Sequence, residues 1–130
     1  TMKSWVVTNN DGQFYSATLS HDGTKVAVHE GSDIYVYNID GSGMIAKLGP
    51  GIATSWSMDD NYLIGYLSES SDGHVISNSD IYLYDVKNSK SKKITTTKNV
   101  YESNVSFISE NKIIYADEKT GDILNSKIKL

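Results

Sequence analysis

An internal repeat constrains this chain more than any other feature. Leu19-Ser20-His21-Asp22-Gly23-Thr24-Lys25-Val26-Ala27-Val28 aligns without a gap with Trp56-Ser57-Met58-Asp59-Asp60-Asn61-Tyr62-Leu63-Ile64-Gly65. Each stretch is followed by a near-identical run, Ser32-Asp33-Ile34-Tyr35-Val36-Tyr37-Asn38 and Ser79-Asp80-Ile81-Tyr82-Leu83-Tyr84-Asp85. A weaker third copy reads Val105-Ser106-Phe107-Ile108-Ser109-Glu110-Asn111-Lys112-Ile113-Ile114-Tyr115, one residue shorter at the turn, then Gly121-Asp122-Ile123-Leu124. Leu19, Trp56 and Phe107 mark equivalent points, spaced 37 and then 51 residues apart. Extra polar, turn-like residues at Ser68–Asn78 and around Lys87–Val100 account for the longer interval. Repetition of this kind means a unit that cannot bury its apolar surface alone and stacks on its neighbours.

The units are built of strands. Apolar residues do not recur at helical spacing, whereas short runs rich in Val, Ile, Tyr, Phe, Trp and Thr alternate with Gly, Asn, Asp and Ser clusters. Trp5-Val6-Val7-Thr8, then Asn9-Asn10-Asp11-Gly12, then Gln13-Phe14-Tyr15 is one such sequence, with Gly supplying the positive φ of a hairpin turn. About twelve strands are expected, near 3–8, 13–20, 24–30, 33–39, 44–48, 52–57, 61–68, 79–86, 92–96, 102–108, 111–117 and 121–129. Four-stranded units repeating at roughly 40 to 50 residues are the signature of propeller blades. Blade strands are covered on both faces, which suits the runs Ile34-Tyr35-Val36-Tyr37 and Ile81-Tyr82-Leu83-Tyr84. The expected fold is therefore all-β, a β-propeller segment of about three blades over residues 1–130. Its units are 13–48, 52–96 and 101–129, and strand 3–8 completes a blade. Because propellers have four to eight blades, three blades are either a fragment of a larger propeller or half of a six-bladed ring. In the second case two copies join head to tail, and each Lys3–Thr8 strand completes the partner's third blade.

The segments Leu19-Ser20-His21-Asp22-Gly23 and Trp56-Ser57-Met58-Asp59-Asp60, with the Asp-Ile-Tyr-Val/Leu-Tyr runs after them, resemble the TolB-like, WD-repeat-related propeller family. Its repeat reads aromatic-Ser-Pro-Asp-Gly, a short apolar strand, then Asp-Ile-Tyr-x-x-Asp. His21 and Met58 stand where the family has Pro, Asp60 stands where it has Gly, and Ser109-Glu110-Asn111 degrades the third turn. The resemblance implies a non-enzymatic protein-interaction scaffold, periplasmic or extracellular, with a protein or peptide partner. It also admits an alternative, a propeller segment of a larger enzyme such as a prolyl-oligopeptidase-like peptidase, gating substrate access. A third reading, a carbohydrate-binding propeller, would place aromatic platforms in each unit, and Tyr15 and Tyr101 offer this only weakly.

Composition narrows the chemistry. The 130 residues carry no Cys, so thiolate catalysis, disulfides and cysteine metal clusters are excluded. All 12 cations are Lys against 16 acids, a net charge of −4. Without Arg and without a basic balance, nucleic-acid binding is not expected. No apolar run approaches the ~20 residues that span a bilayer, so no membrane insertion is expected. There is no Gly-x-Ser-x-Gly elbow, phosphate loop or His-Glu-x-x-His, so no catalytic residue, cofactor or metal is assigned. His21, His29 and His74 are isolated in the sequence. Asp22, Asp59 and Asp60 read as turn residues, Asp33 and Asp80 as repeated blade residues, and Asp117–Asp122 as a solvated hairpin. Lys90, Lys92 and Lys93 read as protection of an outer strand edge. Trp5 and Trp56 read as blade core.

A binding surface is expected where loops and innermost strands converge on a central funnel. Those loops are Glu30–Ser32, Gly49-Pro50-Gly51, Ser68–Asn78 and Lys98–Ser103. The repeat-breaking residues Glu69, His74, Tyr101 and Glu102, with Ser16, Thr54 and Ser103 toward the channel, are the expected binding residues.

Overall fold

A computed structural model of the chain describes residues 3–8, 12–70, 76–94, 102–117 and 120–129, with the side chains of 68–70, 76–79 and 102–104 outside the description. Among the described residues there are eleven strands and no helix. They are β1 (Phe14–Leu19), β2 (Lys25–Glu30), β3 (Asp33–Asn38), β4 (Met44–Pro50), β5 (Ile52–Trp56), β6 (Tyr62–Ser70), β7 (Ile76–Asp85), β8 (Lys90–Lys93), β9 (Glu102–Ser109), β10 (Lys112–Asp117) and β11 (Ile123–Lys127). They form three antiparallel meanders, β1-β2-β3-β4, β5-β6-β7-β8 and β9-β10-β11, which are three propeller blades.

The repeated turn has the same wiring in blades 1 and 2. Ser20 Oγ donates to Asp22 Oδ1 at 2.8 Å, the Thr24 N–H donates to the same oxygen, and the Lys25 N–H donates to Ser20 Oγ. Ser57, Asp59, Asn61 and Tyr62 reproduce this, with Ser57 Oγ to Asp59 Oδ1 at 2.7 Å. A Ser-x-Asp pair thus closes each turn through side-chain acceptors for backbone N–H groups. The strand-opening acids are equivalent as well. Asp33 pairs with Lys47 at 3.8 Å and Asp80 with Lys93 at 2.8 Å, in each case on the fourth strand of the same blade.

The blades stack through two apolar seams, and strand alternation decides which residue enters which. Ala27, Ile34, Val36, Ala46 and Leu48 of blade 1 meet Ala53, Trp56, Leu63, Tyr84 and Val86 of blade 2. Ile64, Ile81 and Leu83, on the other face of blade 2, meet Val105, Phe107, Ile113 and Tyr115 of blade 3. Trp56, 2% exposed, anchors the first seam, and its indole N–H donates to the Thr18 carbonyl at 2.9 Å. Gly65 is required where β6 passes β5, because a Cβ there would strike the Ile52 carbonyl.

Three expectations change. Residues 3–8 are not a strand: Trp5 is 64% exposed and not core, its indole donates to the Ile39 carbonyl, and Val7 packs on the blade 1 cluster of Val26, Val28 and Tyr37. Val7 closes that face of blade 1 together with Phe14, Tyr35 and Ile39. The polar insertion after Leu67 is partly strand, since β6 and β7 continue pairing through Ser68↔Ser79, Glu69↔Asn78 and Ser70↔Ile76. Among the described residues eleven strands replace twelve, and blade 3 has three strands.

Candidate functional site

Antiparallel order sends the start of β1, the β2–β3 turn, the β4–β5 crossing, the β6–β7 hairpin and the start of β9 to one end of the stack. There, between blades 1 and 2, lies a groove of about 280 Å³ lined by Tyr15, Gly31, Ser32, Gly51, Ile52, Tyr66 and Leu67. It is flanked by two tyrosines and floored by aliphatic side chains and glycine backbone.

Tyr15 is held in place from three directions. Its hydroxyl donates to the Gly31 carbonyl at 2.5 Å. Its ring stacks on His29 with centroids 5.5 Å apart. Its strand is bent at the next residue, where Ser16 takes φ 54° and the register with β2 slips between Tyr15 and Thr18. A non-glycine residue in the left-handed region at a bulge re-aims the chain, and here it turns innermost strand β1 at the mouth of the groove.

His29 is fully buried beneath Tyr15. Its Nε2 accepts the Ala53 N–H at 2.9 Å, which requires that nitrogen to be unprotonated. The proton then sits on Nδ1, which faces the Ser16 and Tyr15 carbonyls at 3.1 and 3.3 Å. One neutral imidazole therefore ties β1 and β2 of blade 1 to β5 of blade 2. Burial pushes its pKa below the ordinary value of 6.5, partly opposed by the two carbonyls.

The opposite end of the same joint is clamped by Asp60. Its buried carboxylate accepts the His21 N–H at 2.8 Å and the Asp22 N–H at 2.9 Å, while His21 Nε2 lies 3.2 Å from the Trp56 carbonyl. Asp60 itself adopts φ 61°, the conformation in which the family repeat has Gly. Hydrogen bonds from Thr24 and Ser20 hold the exposed Asp22 carboxyl down to about 2, and Ser57 and Asn61 lower that of Asp59.

The expected binding residues are distributed as follows. Ser16 lies on β1 next to the groove and is exposed. Thr54 is on innermost strand β5, but its hydroxyl is engaged by the Val105 carbonyl of blade 3, with Ile64 O at 3.4 Å. Glu69 stands opposite Asn78 in the extended β6–β7 hairpin, Glu102 opposite Asp117, and Ser103 opposite Ala116. His74 and Tyr101 lie outside the described residues. Asp117 and Gly121 close a hairpin through backbone bonds, Asp117 N to Asp122 O at 2.9 Å and Gly121 N to Asp117 O at 2.8 Å. Among the described residues, no three His, Asp or Glu side chains converge to hold a metal ion. Tyr66, Ile52 and Leu67 were not expected at the site. Their only sequence signal is that β6 continues past Gly65 toward the end where Tyr15 begins.

No protein-family model matches the sequence, and no curated protein matches it at a significant level. Solved structures do match. A protein assigned as TolB from Agrobacterium tumefaciens aligns over 91% of this chain and 42% of its own, with TM-score 0.67 and 19% identity. The tricorn protease aligns over 89% of this chain and 13% of its own, with TM-score 0.62 and 14% identity. Dipeptidyl peptidase 4 of Porphyromonas gingivalis aligns over 92% of this chain and 26% of its own, with TM-score 0.60 and 14% identity. The chain thus spans less than half the length of these proteins. At such identities the likeness is one of fold: this chain is an all-β propeller segment of the kind found in TolB and in propeller-bearing peptidases.

Proposed function

We propose that the chain is a non-enzymatic protein-interaction scaffold of the TolB-like type, working in the periplasm or outside the cell and taking a protein or peptide partner at the Tyr15–Tyr66 groove. The observation that carries this reading is the preorganised Tyr15, fixed by Gly31 and His29 at the mouth of an open, apolar-floored groove. Rigid tyrosines lose little conformational entropy on binding and present both an apolar ring and a polar tip. Strand order supports Ser16, Glu69, Glu102 and Ser103 as residues of the same proposed rim. For the 130-residue chain on its own, a second copy supplies the missing half of a six-bladed ring and brings a second groove to the funnel.

A peptide library selected on the wild-type chain, followed by affinity measurement on Tyr15→Ala/Tyr66→Ala, tests the groove. Selected peptides should lose at least about tenfold in affinity on the variant, as expected when an aromatic anchor is truncated. Peptides that bind both proteins equally overturn the assignment. A second reading is favoured by the two peptidases among the structural neighbours, in which the propeller segment would gate access to a catalytic domain. A Gly-x-Ser-x-Gly segment encoded downstream in the same reading frame would decide for it.

A further inference from the structure

Positive charge gathers on a different surface, the outer seam between blades 2 and 3. Six of the 12 lysines fall in two short stretches, 87–94 and 123–129, and neither stretch contains Asp or Glu, in a chain whose net charge is −4. The first stretch holds β8, the second β11 and the residues after it. The fold brings them together across a groove of about 270 Å³ walled by Lys90, Lys92 and Lys129 and floored by Tyr62 and Leu83. A second cavity of about 260 Å³ adjoins it, sharing Lys92 and Lys129 and adding Lys127 and Ile128. Protection of a strand edge accounts for lysines on β8, but not for their convergence with lysines from another blade.

The neighbouring carboxylates offset this charge only in part, Asp85 acting on Lys90. Asp80 is engaged by Lys93 at 2.8 Å, and Asp85, at the groove wall, is bonded by Asn88 at 2.8 Å. Among the described residues no ion pair within 4.0 Å involves Lys90, Lys92, Lys127 or Lys129. Beside the groove, β8 is the last strand of its sheet, paired on one side only, and all four of its residues are exposed.

We propose that the outer seam between blades 2 and 3 docks an acidic, extended peptide segment of a partner protein. Lysines strung along two adjoining cavities match carboxylates spaced along a chain, where a single phosphate would need them gathered at one point. The Tyr62, Leu83 and Ile128 floor takes the intervening apolar side chains, which a nucleic-acid backbone does not offer. The free edge of β8 can pair with the peptide backbone as an added strand, main-chain bonds giving affinity and alternate side chains giving specificity. This surface is separate from the Tyr15–Tyr66 groove and does not depend on the reading proposed for it.

The test uses a fluorescent peptide of about a dozen residues alternating Glu with Val or Leu, its Gln-for-Glu counterpart, inorganic phosphate and a thymidine oligonucleotide. The acidic peptide should bind at least about tenfold tighter than the Gln peptide and weaken as salt is raised. Lys90→Glu/Lys92→Glu/Lys129→Glu should abolish that preference, while Lys112→Glu and Tyr15→Ala/Tyr66→Ala keep it. Amide exchange at residues 90–93 should slow on binding. Should the triple reversal fail to fold, Lys92→Gln/Lys129→Gln serves in its place and should reduce the preference. Equal binding of the Gln peptide, indifference to the lysine variants, tighter binding of the oligonucleotide, or full competition by inorganic phosphate would each overturn the proposal.

Discussion

Asp60 and His21, two departures from the repeat that this chain resembles, act as a pair. A Pro at position 21 could donate no N–H, and a Gly at position 60 would offer no carboxylate to receive one. With His21 and Asp60 present, both backbone N–H groups of the first turn end on the second turn's side chain. Asp is among the residues that tolerate the left-handed conformation, which limits the backbone cost at φ 61°. Asp60→Gly should lower unfolding free energy by about 1–2 kcal/mol, since it strands two N–H groups at the blade joint. In a His21→Pro background the same change should cost less, because one donor is already gone. Chemical denaturation of the four proteins in this cycle should show a coupling of about 0.5–3 kcal/mol, and strict additivity would refute the pairing. The sequence marks both residues as departures from the family repeat, and Asp22 and Asp59 as turn formers. It does not reveal that the departures belong together, because their partnership spans 39 residues and is created only by stacking.

Strand identity was legible because alternation and turn chemistry are local, and each strand among the described residues overlaps an expected one. What was not legible is which elements touch across blades. His29 reads as a strand-end histidine, yet it binds β1, β2 and β5 into one joint through two ring nitrogens in different roles. Its folded pKa is depressed, so as pH falls below 6.5 the unfolded chain takes up the proton first. The joint's contribution is therefore complete above pH 6.5 and is lost as pH falls through the lower folded value. Unfolding free energy measured by urea should fall over that window in the wild type. His29→Gln should be less stable at pH 8 by about 1–2 kcal/mol and should lack the slope. The candidate groove was half visible in the same way: Tyr15 and the Glu30–Ser32 and Gly49–Gly51 loops follow from strand order, whereas Tyr66 enters because β6 runs on beyond Gly65. The segment 3–8 was misread since Trp5-Val6-Val7 has strand composition but no strand edge beside it in its own blade 1.

The two seams inside the molecule repeat one joint. Each joins an Ile34- or Ile81-type face to a Leu63- or Ile113-type face of the next blade. The outermost blades differ at this face: on blade 1 Val26, Val28 and Tyr37 are buried under Val7, Phe14, Tyr35 and Ile39, whereas on blade 3 Ile114 and Ala116 are half-buried and Ile123 is 65% exposed. An apolar face of that kind favours association. Light scattering with size exclusion should give twice the 14.3 kDa chain mass for the isolated protein. Ile123→Glu should shift it to the single-chain mass with its strand content retained. A wild type that stays at the single-chain mass at all concentrations would show that the faces do not join. Because the two end faces are of different kind, a contact that joins one to the other is head to tail. Such contacts add blades by count rather than by choice. An assembly made only of copies of this chain grows in steps of three, and of the sizes three, six and nine only six lies within the four to eight blades at which propellers close.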